Sequence, residues 1–162
     1  MIFSHESSFT KQILIYWKAR EYPQAAKLSE DFVKAFPRSL MAHYMLAKCH
    51  MKQENYPMAM AEGHRAFNLA ESQDDLVATG VFLACVYYQL RLYHKSMEVL
   101  NALREIGDEK VEKAFFIISL CVNDPTEALM HVDALYRINK EVANQFVDKF
   151  LVLAGKIDAA PG

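Results

Sequence analysis

The sequence has few of the residues that make tight turns: five glycines and five prolines among 162 residues. Sheet proteins with many hairpins need more of them, so an all-α fold is favoured. Cysteine is also scarce. The number of cysteines is odd, and all three lie in apolar helical patterns, at Cys49, Cys85 and Cys121. We therefore expect reduced thiols packed as small hydrophobic side chains, and a reducing compartment.

The chain also lacks an excess of charge of either sign. It has 18 Lys and Arg against 20 Asp and Glu, a formal charge of -2, and no basic block of the kind that binds phosphates, so nucleic acid is not an expected partner. No run of 18 apolar residues suggests a membrane span, and the first residues do not resemble a signal peptide. We expect a soluble cytoplasmic protein without membrane contact, or a nuclear one in a eukaryote.

Short catalytic motifs are missing as well. The sequence contains no Gly-rich phosphate loop, Gly-x-Ser-x-Gly, His-Glu-x-x-His or Cys-x-x-Cys. His43, Cys49 and His50 lie on one predicted helix, where the two histidines share a face, but a fourth metal ligand is absent nearby. The sequence therefore predicts no enzyme, no cofactor and no metal, and an enzyme or metal protein is the remote alternative.

What the sequence does contain is a repeat. Tyr22-Pro23-Gln24-Ala25 and Tyr56-Pro57-Met58-Ala59 are 34 positions apart. A third unit has Tyr93 and Ser96, and its offset of 37 predicts a longer loop at residues 72–75. A fourth, degenerate unit has Ala128 at the small position. Periods of this length are typical of stacked helical units, each of which needs its neighbours to bury its apolar face.

The second unit resembles the tetratricopeptide repeat (TPR) through Leu46-Ala47, Tyr56, Ala59 and Ala66. This resemblance covers residues 9–138. It implies an all-α, right-handed superhelix of antiparallel helix pairs. It also implies that the first helices of the pairs line a concave groove, which binds an extended peptide or a helix of a partner protein.

The pattern divides the chain into one domain and a tail. The domain is predicted to span residues 1–154, with repeats at about 6–39, 40–73, 77–109 and 110–140, a terminal helix at 141–154 and a tail at 155–162. Pro23, Pro57 and Pro125 each stand where a second helix begins, a position that tolerates the missing N–H. Asp124 and Glu127 have the spacing of a capping box.

The TPR register implies which residues face the groove. Beyond Thr10, Leu14 and Cys85, the predicted partner-binding residues are Trp17, Lys18, Met41, Tyr44, Lys48, Met51, Lys52, Val81, Tyr88 and Gln89. Most of this surface is apolar. The TPR subclass that clamps chaperone carboxylates needs Lys, Asn and Arg where this chain has Thr10, Leu14, Met45, Ala78 and Phe82, so that activity is rejected.

The resulting hypothesis is a non-catalytic scaffold or adaptor that binds a peptide or helix of a partner protein in an apolar groove. The second unit is similar to the N-terminal repeats of anaphase-promoting-complex scaffold subunits. The size of the chain is similar to type III secretion chaperones, so a chaperone for hydrophobic secretion substrates is the alternative. Apolar residues of the terminal helix, including Phe146 and Phe150, further predict self-association as a homodimer.

Overall fold

The chain folds into consecutive antiparallel helix pairs followed by one more helix. The structure is a computed structural model that describes the backbone of residues 5–158 and the side chains of residues 5–149. The α-helices of this described part are α1 (Glu6–Lys18), α2 (Tyr22–Ala35), α3 (Leu40–Lys52), α4 (Tyr56–Leu69), α5 (Gln73–Gln89), α6 (Tyr93–Asn101), α7 (Glu109–Cys121), α8 (Pro125–Ile138) and α9 (Lys140–Asp158). A short 3-10 helix (Arg104–Ile106) lies between α6 and α7.

Local sequence signals account for several helix starts. Pro23, Pro57 and Pro125 lie in the first turns of α2, α4 and α8, as predicted. The side chain of Asp124 accepts a hydrogen bond from the Glu127 N–H at 3.0 Å, so this predicted N-cap is also present. The Glu127 side chain does not complete the predicted capping box, because it hydrogen-bonds to Arg104 and His131 instead.

The turn inside each helix pair uses the same unusual backbone conformation. Arg20, Glu54, Arg91 and Asn123 have positive φ values between 58° and 60°. Each residue lies just beyond the first helix of its pair, where the chain reverses into the second helix. A left-handed residue commonly ends a helix, although glycine is the usual choice. These four equivalent turns identify four helix pairs.

The predicted longer loop at residues 72–75 is wrong, because α5 begins at Gln73 and is 17 residues long. Ser72 is the N-cap, and its hydroxyl accepts a hydrogen bond from the Asp75 N–H at 3.1 Å. Asp74 and Asp75 then place negative charge in the first turn, where the helix dipole favours it. The extra residues therefore lengthen the helix.

Small side chains lie where the two helices of a pair cross. Ala25, Ala59, Ser96 and Ala128 are all buried, at 2% exposure or less. The first three come from the sequence repeat, and Ala128 takes the same place in α8. Close helix packing is possible because these side chains leave room for the neighbouring helix.

Replacing Ala59 with leucine should overpack the α3/α4 crossing and lower the free energy of unfolding by about 1–3 kcal/mol. Urea denaturation measures this change. The control is Ala35→Leu, because Ala35 is exposed at the end of α2. An Ala59→Leu protein as stable as wild type would contradict this assignment of the crossing.

The last helix extends beyond the predicted bounds. The terminal helix was expected at 141–154 with a tail from 155, whereas α9 spans Lys140–Asp158. The predicted repeat bounds remain predictions: the first two ranges enclose one helix pair each, whereas α5 begins at Gln73, before residue 77, and α7 begins at Glu109, before residue 110. In the part of the chain that the structure describes, no helix has the length and apolarity needed to cross a membrane.

Candidate functional site

The first helices of the pairs lie side by side, and their facing side chains form a surface with two depressions. Between α1 and α3 is a small recess of about 40 Å³. Ile13, Leu14 and Trp17 contribute one wall of this recess, and Met45 and Lys48 the other. The recess is therefore apolar with an ammonium group at its edge.

A larger opening lies between α5 and α7, and we call it the α5/α7 cleft. Its volume is about 280 Å³, and the side chains that line it are mostly apolar. Its lining consists of Ala84, Cys85, Tyr88, Gln89, Ala114, Ile117 and Ile118. Tyr88 and Ile117 are 40% and 37% exposed, so the cleft presents apolar surface to solvent.

Of the three cysteines, one is packed as predicted and two are not. Cys49 is buried, but Cys85 and Cys121 are exposed on the faces of α5 and α7. Desolvation raises the pKa of the Cys85 and Cys121 thiols. Both thiols therefore stay protonated near neutral pH, so they offer apolar contact surface rather than thiolate nucleophiles.

Several predicted partner-binding residues meet at the α1/α3 end. The Lys48 Nζ lies 5.4 Å from the Trp17 ring centroid and 5.3 Å from that of Tyr44, and the Lys52 Nζ lies 5.8 Å from Trp17. These distances allow cation–π contacts. Tyr44 also packs edge-on against Phe82 at 5.6 Å. Desolvation raises the Tyr44 pKa.

The other predicted groove residues are distributed along the same helices. Lys18 and Met41 are exposed, Met51 and Val81 are half-buried, and Tyr88 and Gln89 line the α5/α7 cleft. No contact described in the structure tests their assignment to partner binding. That assignment stays a prediction.

The contribution of α7 was not predicted from the sequence. The second and fourth helix pairs have identical lengths, and their first helices begin at Leu40 and Glu109, 69 positions apart. This offset places Ala114 over Met45 and Ile117 over Lys48. Extending the register through the degenerate fourth unit could have identified both residues.

Two buried histidine–glutamate pairs stabilise the helix pairs next to this surface. His43 Nδ1 lies 2.6 Å from a Glu62 oxygen, and His43 Nε2 lies 2.8 Å from the Pro37 carbonyl oxygen. His131 Nδ1 lies 2.5 Å from a Glu112 oxygen. All four side chains are buried, and each pair joins the first helix of its pair to the second by a buried polar contact.

A second carboxylate joins the pair in α7 and α8. Glu127 lies 3.0 Å from His131 Nε2 and accepts a hydrogen bond from Arg104 at 2.6 Å. The Arg104 and His131 hydrogen bonds lower the Glu127 pKa. No group of three or more His, Cys, Asp or Glu side chains in the described residues has a geometry that could hold a metal ion.

The residues predicted for self-association have different outcomes. Phe146 is half-buried and packs edge-on against Phe116 of the same chain, with 5.5 Å between ring centroids. The Phe150 side chain lies outside the described residues. Self-association through α9 therefore stays a prediction, and Phe146 also has a role in joining α9 to α7.

Comparison with known proteins identifies the fold. No protein-family profile and no curated protein sequence matches the chain. One similar solved structure is YrrB, which is described as a TPR protein with an unusual peptide-binding site. Its sequence is 16% identical, and the match covers 94% of this chain and 78% of that chain at a TM-score of 0.68. Another is the TPR2B domain of yeast Sti1 in a complex with pHsp70. It is 17% identical, and the match covers 84% of this chain and 97% of that chain at a TM-score of 0.56.

The chain has the TPR fold. The predicted all-α superhelix of antiparallel helix pairs is thereby confirmed. The anaphase-promoting-complex hetero-tetramer Cut9-Hcn1 is also similar, at 15% identity and a TM-score of 0.72, with 87% of this chain covered. The match spans only 29% of that chain. At these identities the likeness shows the fold alone.

Proposed function

We propose that this TPR protein is a non-catalytic interaction module that binds an apolar or amphipathic segment of a partner protein across its first helices. The α5/α7 cleft carries this proposal. It is open, is lined mainly by apolar side chains and exposes Tyr88 and Ile117. Exposed apolar surface of this kind commonly marks a binding site.

The size of the cleft favours a peptide side chain as its occupant. Pockets for complete small-molecule ligands usually have volumes of about 300–1,000 Å³. At about 280 Å³ the α5/α7 cleft lies at the lower end of this range, and it suits one or two aliphatic or aromatic side chains of a longer segment. The remaining contacts would come from the neighbouring first helices, as in helix-in-groove and extended-peptide recognition.

This proposal includes both versions predicted from the sequence. An adaptor or scaffold subunit would hold a folded partner through one of its segments, and a secretion chaperone would cover an apolar segment until delivery. The peptide-binding description of YrrB and the Sti1 complex with pHsp70 support recognition of a peptide or protein. Self-association through Phe146 and Phe150 is a separate proposal, which light scattering over a dilution series tests.

A charge placed in the cleft should weaken binding without unfolding the protein. Ile117→Asp would bring a carboxylate into contact with the apolar part of a bound peptide. Because the peptide would remove water from this carboxylate, binding should weaken at least about tenfold. Peptides selected from a displayed random library supply the probe, and fluorescence anisotropy gives the dissociation constant. Circular dichroism checks that the helices are retained.

The matched control is Leu129→Asp. Leu129 is 69% exposed on α8, a second helix, and does not line the cleft. Binding by this variant should equal that of wild type. If Ile117→Asp binds selected peptides as tightly as wild type, the α5/α7 cleft is not the binding site.

A further inference from the structure

The groove surface of this chain carries charge of only one sign. The residues that line the two depressions identify one face of each first helix, and helical spacing extends that face along the helix. We call groove positions the second, fifth, sixth, ninth, twelfth and thirteenth residues of each first helix. The count starts at Glu6, Leu40 and Glu109, the first residues of α1, α3 and α7. In α5 it starts at Val77, so that Cys85 takes the ninth position, as Leu14, Lys48 and Ile117 do in the other helices. The charged residues at these positions are Lys11, Lys18, Lys48, Lys52, Lys110 and Lys113.

None of the groove positions holds Asp or Glu, although acidic residues outnumber Lys and Arg in the whole chain by 20 to 18. Because the chain has a formal charge of -2, six positive charges on the groove leave a net of eight negative charges elsewhere. The protein is therefore electrostatically polarised, and a surface of one sign attracts and orients a segment of the opposite sign.

The lysines at the α1/α3 end are available to a ligand. Lys48 and Lys52 share the Trp17 ring. Among the described residues, the ion pairs within 4.0 Å include neither of these two ammonium groups nor that of Lys18. Lys113 differs, because its Nζ lies 3.5 Å from a Glu109 oxygen.

We infer that the groove binds an acidic amphipathic segment of another protein, an inference that rests on the function proposed above. An apolar side chain of the segment occupies the α5/α7 cleft, and Asp or Glu side chains face Lys18, Lys48 and Lys52. The aromatic rings beneath Lys48 restrict its ammonium group, so less side-chain entropy is lost on binding.

A protein segment fits this surface better than a nucleic acid does. The strongly negative remainder of the chain would repel a long polyanion, whereas a short segment contacts only the groove. The apolar cleft between α5 and α7 also needs an aliphatic or aromatic side chain. A segment with both acidic and apolar residues satisfies both parts of the surface.

The test compares peptides selected from a displayed random library by the wild-type protein and by Lys48→Glu/Lys52→Glu. Wild type should enrich Asp and Glu together with apolar residues, and the charge-reversed variant should favour Lys and Arg instead. For one acidic peptide, charge reversal should raise the dissociation constant about tenfold, since each reversal replaces an attraction by a repulsion. Added salt should weaken wild-type binding.

Lys27→Glu/Lys34→Glu is the matched control. It reverses two exposed charges on α2, a second helix, and should keep the selection for acidic peptides. Selected peptides without an acidic bias, or with a bias that Lys48→Glu/Lys52→Glu leaves unchanged, would overturn the acidic-segment inference and leave the function intact. If no peptide is selected, the proposed function fails. Tighter, Lys48- and Lys52-dependent binding of a single-stranded RNA would overturn the inference in favour of nucleic acid.

Discussion

Exchanging His43 and Glu62 is expected to leave the protein more stable than either single change does. His43→Glu alone would oppose two carboxylates in a buried site, and Glu62→His alone would oppose two imidazoles. Removing one partner of a buried pair commonly costs about 3–5 kcal/mol, because the other is left without compensation. The double variant restores a histidine opposite a glutamate.

The fourth helix pair shows that the exchanged arrangement fits this fold. Positions 43 and 62 correspond to 112 and 131 at the offset of 69 residues, and there the glutamate is on the first helix and the histidine on the second. The two pairs have Nδ1 to carboxylate distances of 2.6 and 2.5 Å. The backbone thus accepts the pair in both orientations.

The double variant should recover only part of the lost free energy of unfolding. Its loss should be about 1–3 kcal/mol smaller than the sum of the losses of the two single variants. Glu62 also accepts a hydrogen bond from Arg65 at 2.5 Å, and an imidazole at position 62 would lose that interaction. The corresponding residue of the fourth pair is Ala134. Adding Arg65→Ala should therefore recover more stability in the exchanged protein.

Urea denaturation of wild type, both single variants and the double variant completes a thermodynamic cycle. Arg65→Ala in the wild-type background is the control, and it should lose little, since the Arg65 side chain is 60% exposed. If the free energy lost by the double variant equals the sum of the losses of the two single variants, the two pairs are not equivalent. The hydrogen bond from His43 to Pro37 then contributes more to stability than the contact with Glu62.

The sequence predicted the features of this fold that depend on neighbouring residues. The prolines at helix starts and the Asp124 cap are local, and the structure contains both. The histidine–glutamate pairs were missed because their members are 19 positions apart on different helices. Such pairs become recognisable only when the helix packing is known.

The TPR register from which the groove residues are predicted is clear in the first three units and obscured in the degenerate fourth unit. Large residues such as Phe116 replace the small TPR residues of α7, and this obscured the register in sequence. Helix geometry still places Ala114 and Ile117 on the groove face. For Cys85 two predictions disagreed, because its apolar surroundings in sequence indicated a packed thiol, whereas the TPR register placed it on the groove face. Its exposure in the α5/α7 cleft contradicts the first of these.

Truncating Phe115 to alanine is expected to lower the free energy of unfolding by about 3–5 kcal/mol. Phe115 is fully buried in α7. Its ring stacks on His131 with 4.1 Å between centroids and 1° between planes, and the Arg104 guanidinium carbon lies 4.8 Å from its centroid. The change creates a cavity and also removes the ring that packs against the His131 network.

Two variants separate these contributions. Phe115→Leu keeps most of the apolar volume but loses the stacked ring, so its loss should be smaller than that of Phe115→Ala. Leu120→Ala is the control on the same helix, since Leu120 is 37% exposed and leaves no closed cavity. A Phe115→Ala loss no larger than that of Leu120→Ala would contradict a central packing role for Phe115.

Hydrogen exchange would show how this packing supports the candidate site. Repeat proteins are stabilised mainly by contacts between neighbouring units, so Phe115→Ala should increase exchange most in α7, α8 and α9, with α1 to α4 less affected. Because α7 supplies one wall of the α5/α7 cleft, peptide affinity should fall in parallel with protection of α7. Equal increases in exchange along the whole stack would contradict local support and indicate that the helix pairs open as one unit.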